Sequence, residues 1–255
     1  MNDDEFAGRA VSVTGAAHGI GRAAALAFAA RGARVALSDI DAPGLEDAAR
    51  AAAAAGAAAV LARPTDIADA AQVARWFAAI DAAFGRLDCA VNNAGIGEPA
   101  AASFEEQTTE NFDRVVGVNV RGTWLCMREE IRRMKAQGAG AIVNLASAVA
   151  HVASPSPIYT LTKHAILGLT RSAAATHAAL GIRVNAMCPG AIDTDLTRGF
   201  FQRGPQVRER LLAAHPIGRM GTAEEIAGGI VWLCSKDAAF MTGASLLMDG
   251  GYTAV

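Results

Sequence analysis

A tyrosine and a lysine separated by three residues, Tyr159 and Lys163, are the side chains in this sequence best suited to proton transfer. Residues four apart on a helix lie on one face, one turn apart. An ammonium beside a phenol favours the phenolate, so it lowers a pKa that is otherwise about 10. Such a phenol can exchange a proton near neutral pH. A surface pair on a helix is the alternative explanation of this spacing.

The overall composition makes the lysine at position 163 informative. The chain has only three lysines among its 23 basic residues, and only two tyrosines, Tyr159 and Tyr252. A sequence that nearly always uses arginine for positive charge therefore uses lysine at this place.

Length and composition restrict the class of protein. The 255 residues, of which 52% are hydrophobic, are enough for one α/β domain with a large buried core. The net charge of −2 gives no reason to expect binding to nucleic acid or to an anionic membrane. Five histidines and four cysteines show no metal-ligand spacing, so we expect no metal site.

The cysteines and the N-terminus indicate a cytoplasmic protein. The four cysteines are widely spaced and include no Cys-x-x-Cys pair, which suits a reducing compartment. Residues 1–6 are acidic and lack the pattern of a signal peptide, and no apolar run makes a convincing membrane span.

A glycine-rich turn follows the first apolar stretch, residues 9–14, and precedes a helical pattern that continues to about Arg31. Gly15 permits a tight turn, Gly19 allows a phosphate to approach the backbone, and Gly21 lets the helix pack near the strand. Free N–H groups and the helix dipole at this turn suit a pyrophosphate. The spacing is G-x-x-x-G-x-G, and many helices that bind no nucleotide also begin with glycine.

Asp39 ends the second predicted strand, residues 33–38, about twenty residues beyond the turn. A carboxylate here accepts hydrogen bonds from the adenosine ribose and repels a 2′-phosphate, which favours NAD over NADP. A solvated cap of the next helix is the alternative for Asp39, and His18 in the glycine turn could meet a 2′-phosphate.

Strands and helices alternate through the rest of the chain, which predicts a doubly wound, seven-stranded parallel sheet with helices on both faces. We interpret residues 1–255 as one Rossmann-like domain, in which residues 193–216 form an inserted substrate flap. The other strands are predicted at 57–63, 87–92, 140–146, 182–188 and 244–248, and the later helices at 68–84, 109–136, 157–179 and 222–235.

The sequence resembles the short-chain dehydrogenase/reductase family from Arg9 to about Gly251. Four markers occur in family order: Thr14-Gly15-x-x-x-Gly19-x-Gly21, Asn92-Asn93-Ala94-Gly95, Ser147 with Tyr159-x-x-x-Lys163, and Pro189-Gly190-x-Ile192-x-Thr194. One marker alone could arise by chance, whereas four in order on the expected elements could not.

The resemblance implies four catalytic residues. Tyr159 is expected to be the general acid/base, Ser147 to hold the substrate oxygen, and Lys163 to lower the pKa of the phenol and bind the nicotinamide ribose. Asn119 is expected to interrupt its helix and anchor a water that leads to Lys163. The alternative for Asn119 is a side chain satisfied by neighbouring backbone.

The resemblance also implies the nicotinamide cofactor contacts and a homotetramer. For Asn92, stabilisation of the sheet is an equal alternative. The expected contacts with the cofactor are Gly15, His18, Gly19, Ile20, Gly21, Asp39, Asp66, Ile67, Asn92, Ala94, Gly95, Tyr159, Lys163, Pro189, Gly190, Ile192 and Thr194.

One departure from the family concerns spacing. Ser147 precedes Tyr159 by twelve residues, one fewer than is usual in the family. A loop shortened by one residue still allows Ser147 to reach the site, whereas a shifted register would make Ser154 or Ser156 the hydrogen-bond donor.

The resulting hypothesis is reversible hydride transfer between a secondary alcohol or ketone and NAD. The expected substrate contacts are Ser147, Ala148, His151, Tyr159, Leu196 and Phe200, and flap arginines such as Arg198 leave an acidic substrate open. The alternatives are an NADP-dependent 3-oxoacyl thioester reductase, a non-catalytic dinucleotide sensor and a structural subunit. An intact glycine turn and an intact Tyr-x-x-x-Lys pair argue against the last two.

Overall fold

The computed structural model describes residues 3–98, 103–195, 197–198 and 205–255, and within them seven strands form one parallel sheet. The strand order is β3-β2-β1-β4-β5-β6-β7. The strands are β1 (Ala10–Thr14), β2 (Arg34–Asp39), β3 (Ala59–Pro64), β4 (Cys89–Asn92), β5 (Gly140–Leu145), β6 (Ile182–Pro189) and β7 (Ser245–Met248).

Helices cover both faces of this sheet, so the predicted fold class is confirmed. The predicted boundaries of the strands agree with the observed ones to within two residues. The helices are α1 (Gly19–Ala29), α2 (Ala42–Ala54), α3 (Ala70–Phe84), α4 (Thr109–Val116), α5 (Thr123–Gln137), α6 (Pro157–His177), α7 (Pro205–Ala213) and α8 (Ala223–Cys234).

Alternate residues of the central strands feed two hydrophobic layers. Val11 and Val13 of β1 pack with α1, α2 and α8 on one face, whereas Ala10 packs with α3 and α5 on the other. Every residue of β1 is buried, as is typical of a parallel sheet covered on both sides. The chain passes from β3 at one edge to β4 beside β1, and this reversal of strand order opens a crevice at the carboxyl ends of the strands.

The long helix predicted at 109–136 is two helices, α4 and α5, joined by a π-helical turn at Gly117–Gly122. Asn119 lies in this turn and is buried. Thr123 Oγ1 donates a hydrogen bond to the Asn119 carbonyl at 2.8 Å. The interruption that the resemblance implied is therefore present.

Two helices that face the crevice, α1 and α6, begin without a side-chain cap. Asp41, Asp69 and Thr222 cap α2, α3 and α8 with their own side chains. His18 and Ser156 precede α1 and α6 but give no side-chain cap. The first N–H groups of α1 and α6 therefore need other acceptors.

Two features are absent from the part of the chain that the structure describes. No helix in it has the length and apolar character needed to cross a membrane. It contains no group of three histidine, cysteine, aspartate or glutamate side chains arranged to hold a metal ion.

Candidate active site

A cleft of about 350 Å³ opens at the carboxyl ends of β4, β5 and β6, beside the first turn of α6. Much of its lining comes from loops that follow the strands, and these loops contain residues that the sequence analysis predicts to be in the site. The predicted site residues that line it are Ile20, Gly95, Ser147, Ala148, Tyr159, Lys163, Pro189, Gly190, Ile192 and Thr194.

Tyr159 and Lys163 lie one turn apart on α6 and both line the cleft. Lys163 Nζ is 5.3 Å from the centroid of the Tyr159 ring, and it donates a hydrogen bond to the Leu145 carbonyl at 2.7 Å. Only 6% of Lys163 is exposed. Lys163 is therefore buried and Tyr159 partly buried, and the pair lies in the cleft and not on an exposed helix surface.

The predicted lowering of the phenol pKa by Lys163 is wrong. Burial raises the pKa of Tyr159 to about 12, while a hydrogen bond with Ser147 acts in the opposite direction. Burial also lowers the pKa of Lys163 to about 8. The loss of hydration of the phenolate therefore outweighs the hydrogen bond that Ser147 supplies.

Ser147 lies at the start of a short 3₁₀ turn and interacts with the Tyr159 hydroxyl. Its Oγ also accepts a hydrogen bond from Val149 N at 3.3 Å. Ser154 and Ser156 line the same cleft, but Ser154 Oγ accepts the Ser156 N–H at 3.3 Å. The spacing of twelve residues therefore still brings Ser147 to the phenol.

Asn119 is held by protein partners on both ends of its amide. Its Oδ1 accepts from Ile96 N at 2.8 Å, and its Nδ2 donates to the Ile96 carbonyl at 2.9 Å and to Thr162 Oγ1 at 3.1 Å. A Cβ atom built on Gly95 would lie 3.3 Å from Asn119 Oδ1 and 3.7 Å from Lys163 Nζ. Asn119 therefore satisfies neighbouring backbone, as the alternative proposed, and also lies close to the lysine.

The glycine turn leaves a backbone cradle at the N-terminus of α1. Gly15 and Gly19 have φ values of +65° and +50°, which side chains rarely adopt. A Cβ atom on Gly21 would lie 2.1 Å from the Gly15 carbonyl oxygen. Because α1 also lacks a side-chain cap, its first N–H groups are available to an anion, which fits the pyrophosphate of a dinucleotide.

Asn92 and Asn93 point in different directions, and only the second faces the cleft. Asn92 Nδ2 donates to Glu130 Oε2 at 3.0 Å and to Asn144 Oδ1 at 2.9 Å inside the core, so it stabilises the sheet. Asn93 lines the cleft, and its Nδ2 donates to the carbonyls of Thr14 and Gly15 at 3.0 and 2.9 Å. Sequence reasoning missed Asn93, although it is part of the quoted motif.

Two carboxylates lie at the carboxyl end of β2, near the glycine turn. Asp39 accepts hydrogen bonds from Ala17 N at 3.0 Å and Asp41 N at 3.1 Å. Asp41 pairs with His18 Nε2 at 2.6 Å, and this contact is the main cause of the lowered pKa of Asp41. The positive charge that His18 could offer to a 2′-phosphate is therefore already matched by a carboxylate.

The structure gives other predicted residues local roles. Asp66 Oδ1 accepts from Ala68 N at 2.8 Å, and Ile67 is buried against Gly122. His151 is exposed and does not line the cleft, because the 3₁₀ turn after Ser147 directs it to solvent. The Gly19 backbone meets Thr194, and Ala94 N donates to Thr14 Oγ1 at 3.1 Å.

Some predicted substrate contacts belong to the flap. Leu196 and Phe200 lie outside the described residues. Arg198 forms ion pairs with Asp193 at 2.9 Å and Asp195 at 3.1 Å, so its charge is matched within the flap.

Comparison with known proteins assigns the family. A family model described as enoyl-(acyl carrier protein) reductase matches residues 15–253. The chain is 44% identical to 2-(R)-hydroxypropyl-CoM dehydrogenase of Xanthobacter autotrophicus over 97% of this chain and 99% of that protein. The chain belongs to the short-chain dehydrogenase/reductase family.

Two further relatives agree with this assignment. Cis-4-hydroxycyclohexanecarboxylate dehydrogenase of Sinomonas cyclohexanicum is 45% identical over 99% of each chain. The crystal structure of levodione reductase superimposes with a TM-score of 0.94 at 36% identity, covering 98% of this chain and 99% of that one. The predicted family is confirmed, as is the prediction of an oxidoreductase that interconverts secondary alcohols and ketones with a nicotinamide cofactor.

Proposed function

We propose that this member of the short-chain dehydrogenase/reductase family uses NAD to interconvert secondary alcohols and ketones, with Tyr159 as the general acid/base. The observation that carries this proposal is the meeting of the Tyr159 phenol, the Ser147 hydroxyl and Lys163 in one cleft. The glycine cradle at the start of α1 opens toward the same crevice.

The proposed roles follow from where these groups lie. A bound nicotinamide ring supplies the centre that accepts a hydride in alcohol oxidation and gives one back in ketone reduction. In oxidation, Tyr159 Oη in its deprotonated form takes the hydroxyl proton as the carbinol hydrogen leaves as hydride. In reduction, the protonated phenol gives that proton to the carbonyl oxygen. Ser147 donates a hydrogen bond to the same oxygen and holds it beside the phenol.

Lys163 and Asn119 serve this proton transfer from behind. The Lys163 ammonium lies over the phenol ring and is fixed by the Leu145 carbonyl. From there it would hold the ribose hydroxyls of a bound nicotinamide cofactor. Asn119 lies near Lys163, on the other side of Gly95, and would anchor a water that leads to Lys163.

The preference for NAD rests on the two carboxylates at the carboxyl end of β2. Asp39 and Asp41 repel a 2′-phosphate, and the pairing of His18 with Asp41 removes the basic group that would offset them. The isosteric variant Asp39→Asn removes the charge but keeps an oxygen that can accept the Ala17 N–H.

The cofactor assay compares kcat/KM for NAD and NADP in the wild type and in this variant. We expect the wild type to favour NAD and Asp39→Asn to lower the ratio by at least tenfold, because the repelled 2′-phosphate gains most from the loss of charge. Asp41→Asn removes the second carboxylate and the partner of His18, and we expect it to change the ratio in the same direction. A wild type that favours NADP would overturn the cofactor choice.

The substrate that we propose is a compact, mainly apolar secondary alcohol. The relatives from Xanthobacter and Sinomonas are named for hydroxy compounds, one of them a substituted cyclohexane. The cleft of this chain also has apolar walls, to which Ala148, Val149, Pro155 and Leu211 contribute. Both observations support a ring-bearing alcohol over a sugar.

The deciding experiment measures NADH formation and consumption across a panel of secondary alcohols, ketones and a 3-oxoacyl thioester. We expect turnover of at least one cyclic alcohol, and a loss of 10²–10⁴-fold in Tyr159→Phe, as for removal of a general acid/base. NADH binding without turnover across the panel would favour a dinucleotide sensor. Reduction of the thioester alone, with NADPH, would favour the acyl thioester reductase.

We also propose that the protein works in the cytoplasm as a homotetramer. Support for the location is that all four cysteines are free and buried, which suits a reducing compartment. The tetramer rests on the family resemblance, and light scattering on the purified protein measures it directly.

A further inference from the structure

Helix α6, which carries Tyr159 and Lys163, begins without help from its own N-cap residue. Ser156 stands at that position with φ −106° and ψ 84° and makes no side-chain cap. Pro157 follows and has no N–H to satisfy, whereas the N–H groups of Ile158 and Tyr159 have no partner within the helix.

Glu98 supplies the missing cap from a distant part of the chain. Its Oε2 accepts hydrogen bonds from Ile158 N at 2.8 Å and from Tyr159 N at 3.1 Å, across sequence separations of 60 and 61 residues. Only 7% of Glu98 is exposed. A carboxylate at a helix N-terminus complements the helix dipole, and hydrogen bonds to a charged acceptor are stronger than neutral ones.

The backbone of Tyr159 is held on both sides by the same set of contacts. Its N–H donates to Glu98, and its carbonyl accepts from Thr162 Oγ1 at 2.8 Å. Thr162 Oγ1 also accepts from Asn119 Nδ2, and Asn119 binds both backbone groups of Ile96, two residues before Glu98. These contacts form a closed hydrogen-bond network, which we call the Tyr159 backbone network: Ile96, Glu98, Tyr159, Thr162 and Asn119.

The Tyr159 backbone network connects two parts of the site that a reaction must align, the loop after β4 and helix α6. The segment before Ile96 contains Asn93 and Gly95, which line the cleft, and Asn93 is bonded to the glycine turn. Glu98 ties that segment directly to the helix that presents the phenol. A displacement of about 1 Å between reacting groups can cost about a hundredfold in rate.

We propose that Glu98 is a positioning residue that caps α6 and holds Tyr159 at a fixed place relative to the loop after β4. This proposal rests on the proposed function of Tyr159. Glu98 does not line the cleft, so its effect is transmitted through the backbone of α6.

The test compares Glu98→Ala and Glu98→Gln with the wild type, using Asp69→Ala as the matched control. Asp69 caps α3 by accepting the N–H groups of Ala71 and Gln72, and so has the same capping role on another helix. We expect Glu98→Ala to lower kcat by 10- to 100-fold and to leave the Kd for NADH within threefold. Glu98→Gln keeps an oxygen that can accept the same N–H groups, and we expect it to recover at least a third of the wild-type kcat. Asp69→Ala is expected to keep kcat within twofold.

Amide hydrogen exchange gives a readout that does not depend on activity. In folded Glu98→Ala, a peptide covering residues 157–163 should exchange at least tenfold faster than in the wild type, whereas it should be unchanged in Asp69→Ala. The proposal is overturned if folded Glu98→Ala keeps kcat within twofold, or if exchange of this peptide is unaltered. If Glu98→Ala does not fold, Glu98→Gln is compared with the wild type by the same two measurements. An unaltered exchange of this peptide together with a kcat below a tenth of the wild-type value would then overturn the proposal, because the rate would not depend on the cap. A wild type without turnover would remove the proposed function, and the exchange comparison alone would then decide the capping role.

Discussion

The cleft has two walls that are built differently. One wall, here called the α6 wall, contains Ser147, Tyr159 and Lys163, whose polar groups contact one another or backbone carbonyls. The second wall, here called the flap wall, contains Leu211, His215 and Tyr252, from the end of α7, the turn after it and the C-terminal turn. Polar contacts at the reacting oxygen fix a geometry, whereas an apolar and aromatic surface selects a shape.

The flap wall is held by one histidine. His215 Nε2 accepts from Ala191 N at 3.0 Å, and its Nδ1 donates to the Leu211 carbonyl. Its ring stacks on Tyr252 with centroids 4.9 Å apart and planes at 17°. The histidine thus fixes the tyrosine ring in the cleft without contacting the Tyr159 pair. Changes to the α6 wall should therefore alter the rate for every substrate, and changes to the flap wall should alter the choice of substrate.

The largest effect among these tests is expected for Ser147→Ala, which removes the hydroxyl that interacts with the phenol. Loss of one donor to a developing oxyanion costs about 10²–10³ in kcat. We expect a loss of this size for every alcohol that turns over, measured as initial rates of NADH formation.

Ser154→Ala and Ser156→Ala are the matched controls, because both side chains line the same cleft. We expect each to stay within threefold of the wild type. A larger loss in either variant than in Ser147→Ala would contradict the role of Ser147 and would favour Ser154 or Ser156 as the hydrogen-bond donor.

A smaller effect is expected for Tyr252→Ala on the flap wall. Removal of the ring enlarges the cleft at the flap wall, and one contact of this size is worth about tenfold in discrimination between substrates. We expect the ratio of kcat/KM between a cyclic and a linear alcohol to change by about tenfold, while the Kd for NADH stays within twofold.

Tyr252→Phe keeps the ring and its stacking on His215, so it should retain the wild-type ratio. If Tyr252→Ala lowered kcat/KM equally for all substrates, the hypothesis that the flap wall determines the choice of substrate would be wrong.

The contrast between the walls also explains what the sequence could predict. Strand and helix positions follow from local apolar patterns, and Tyr159 and Lys163 are found because their spacing is local. Asn92 and Asn93 are adjacent, and only the pleat of β4 sends one into the core and the other to the cleft.

Contacts between distant parts of the chain were not predictable in this way. Glu98 reaches α6 across 60 residues, and the stack of His215 on Tyr252 joins the end of the flap to the C-terminal turn. The direction of the Tyr159 pKa shift was also missed, because it depends on how deeply the fold buries the phenol.

A buried polar network supports the α6 wall from behind. Glu130 accepts from Asn92, Asn92 donates also to Asn144, and Asn144 Nδ2 donates to Thr170 Oγ1 of α6 at 3.0 Å. Glu130 Oε1 and Asn92 Oδ1 are both buried and lack a hydrogen-bond partner. Burial raises the pKa of Glu130 to about 8, while the hydrogen bond from Asn92 acts in the opposite direction.

The smallest effect on catalysis, and a clear effect on stability, is therefore expected for Glu130→Gln. Because the folded-state pKa is above the unfolded value, the neutral carboxyl contributes stability that is complete below about pH 4.5 and is lost as the pH rises through about 8. Between these pH values, the free energy of unfolding of the wild type should fall by up to about 1.4 kcal/mol per pH unit relative to that of Glu130→Gln, whose amide does not titrate. Urea unfolding of both proteins from pH 5 to 8 measures this difference.

Glu129→Gln, which removes ion pairs with Arg132 and Arg133, should keep the wild-type slope. Equal slopes in the wild type and Glu130→Gln would mean that Glu130 is ionised in the fold, whereas a large loss of kcat in Glu130→Gln would place part of the catalytic geometry in this network rather than in the α6 wall.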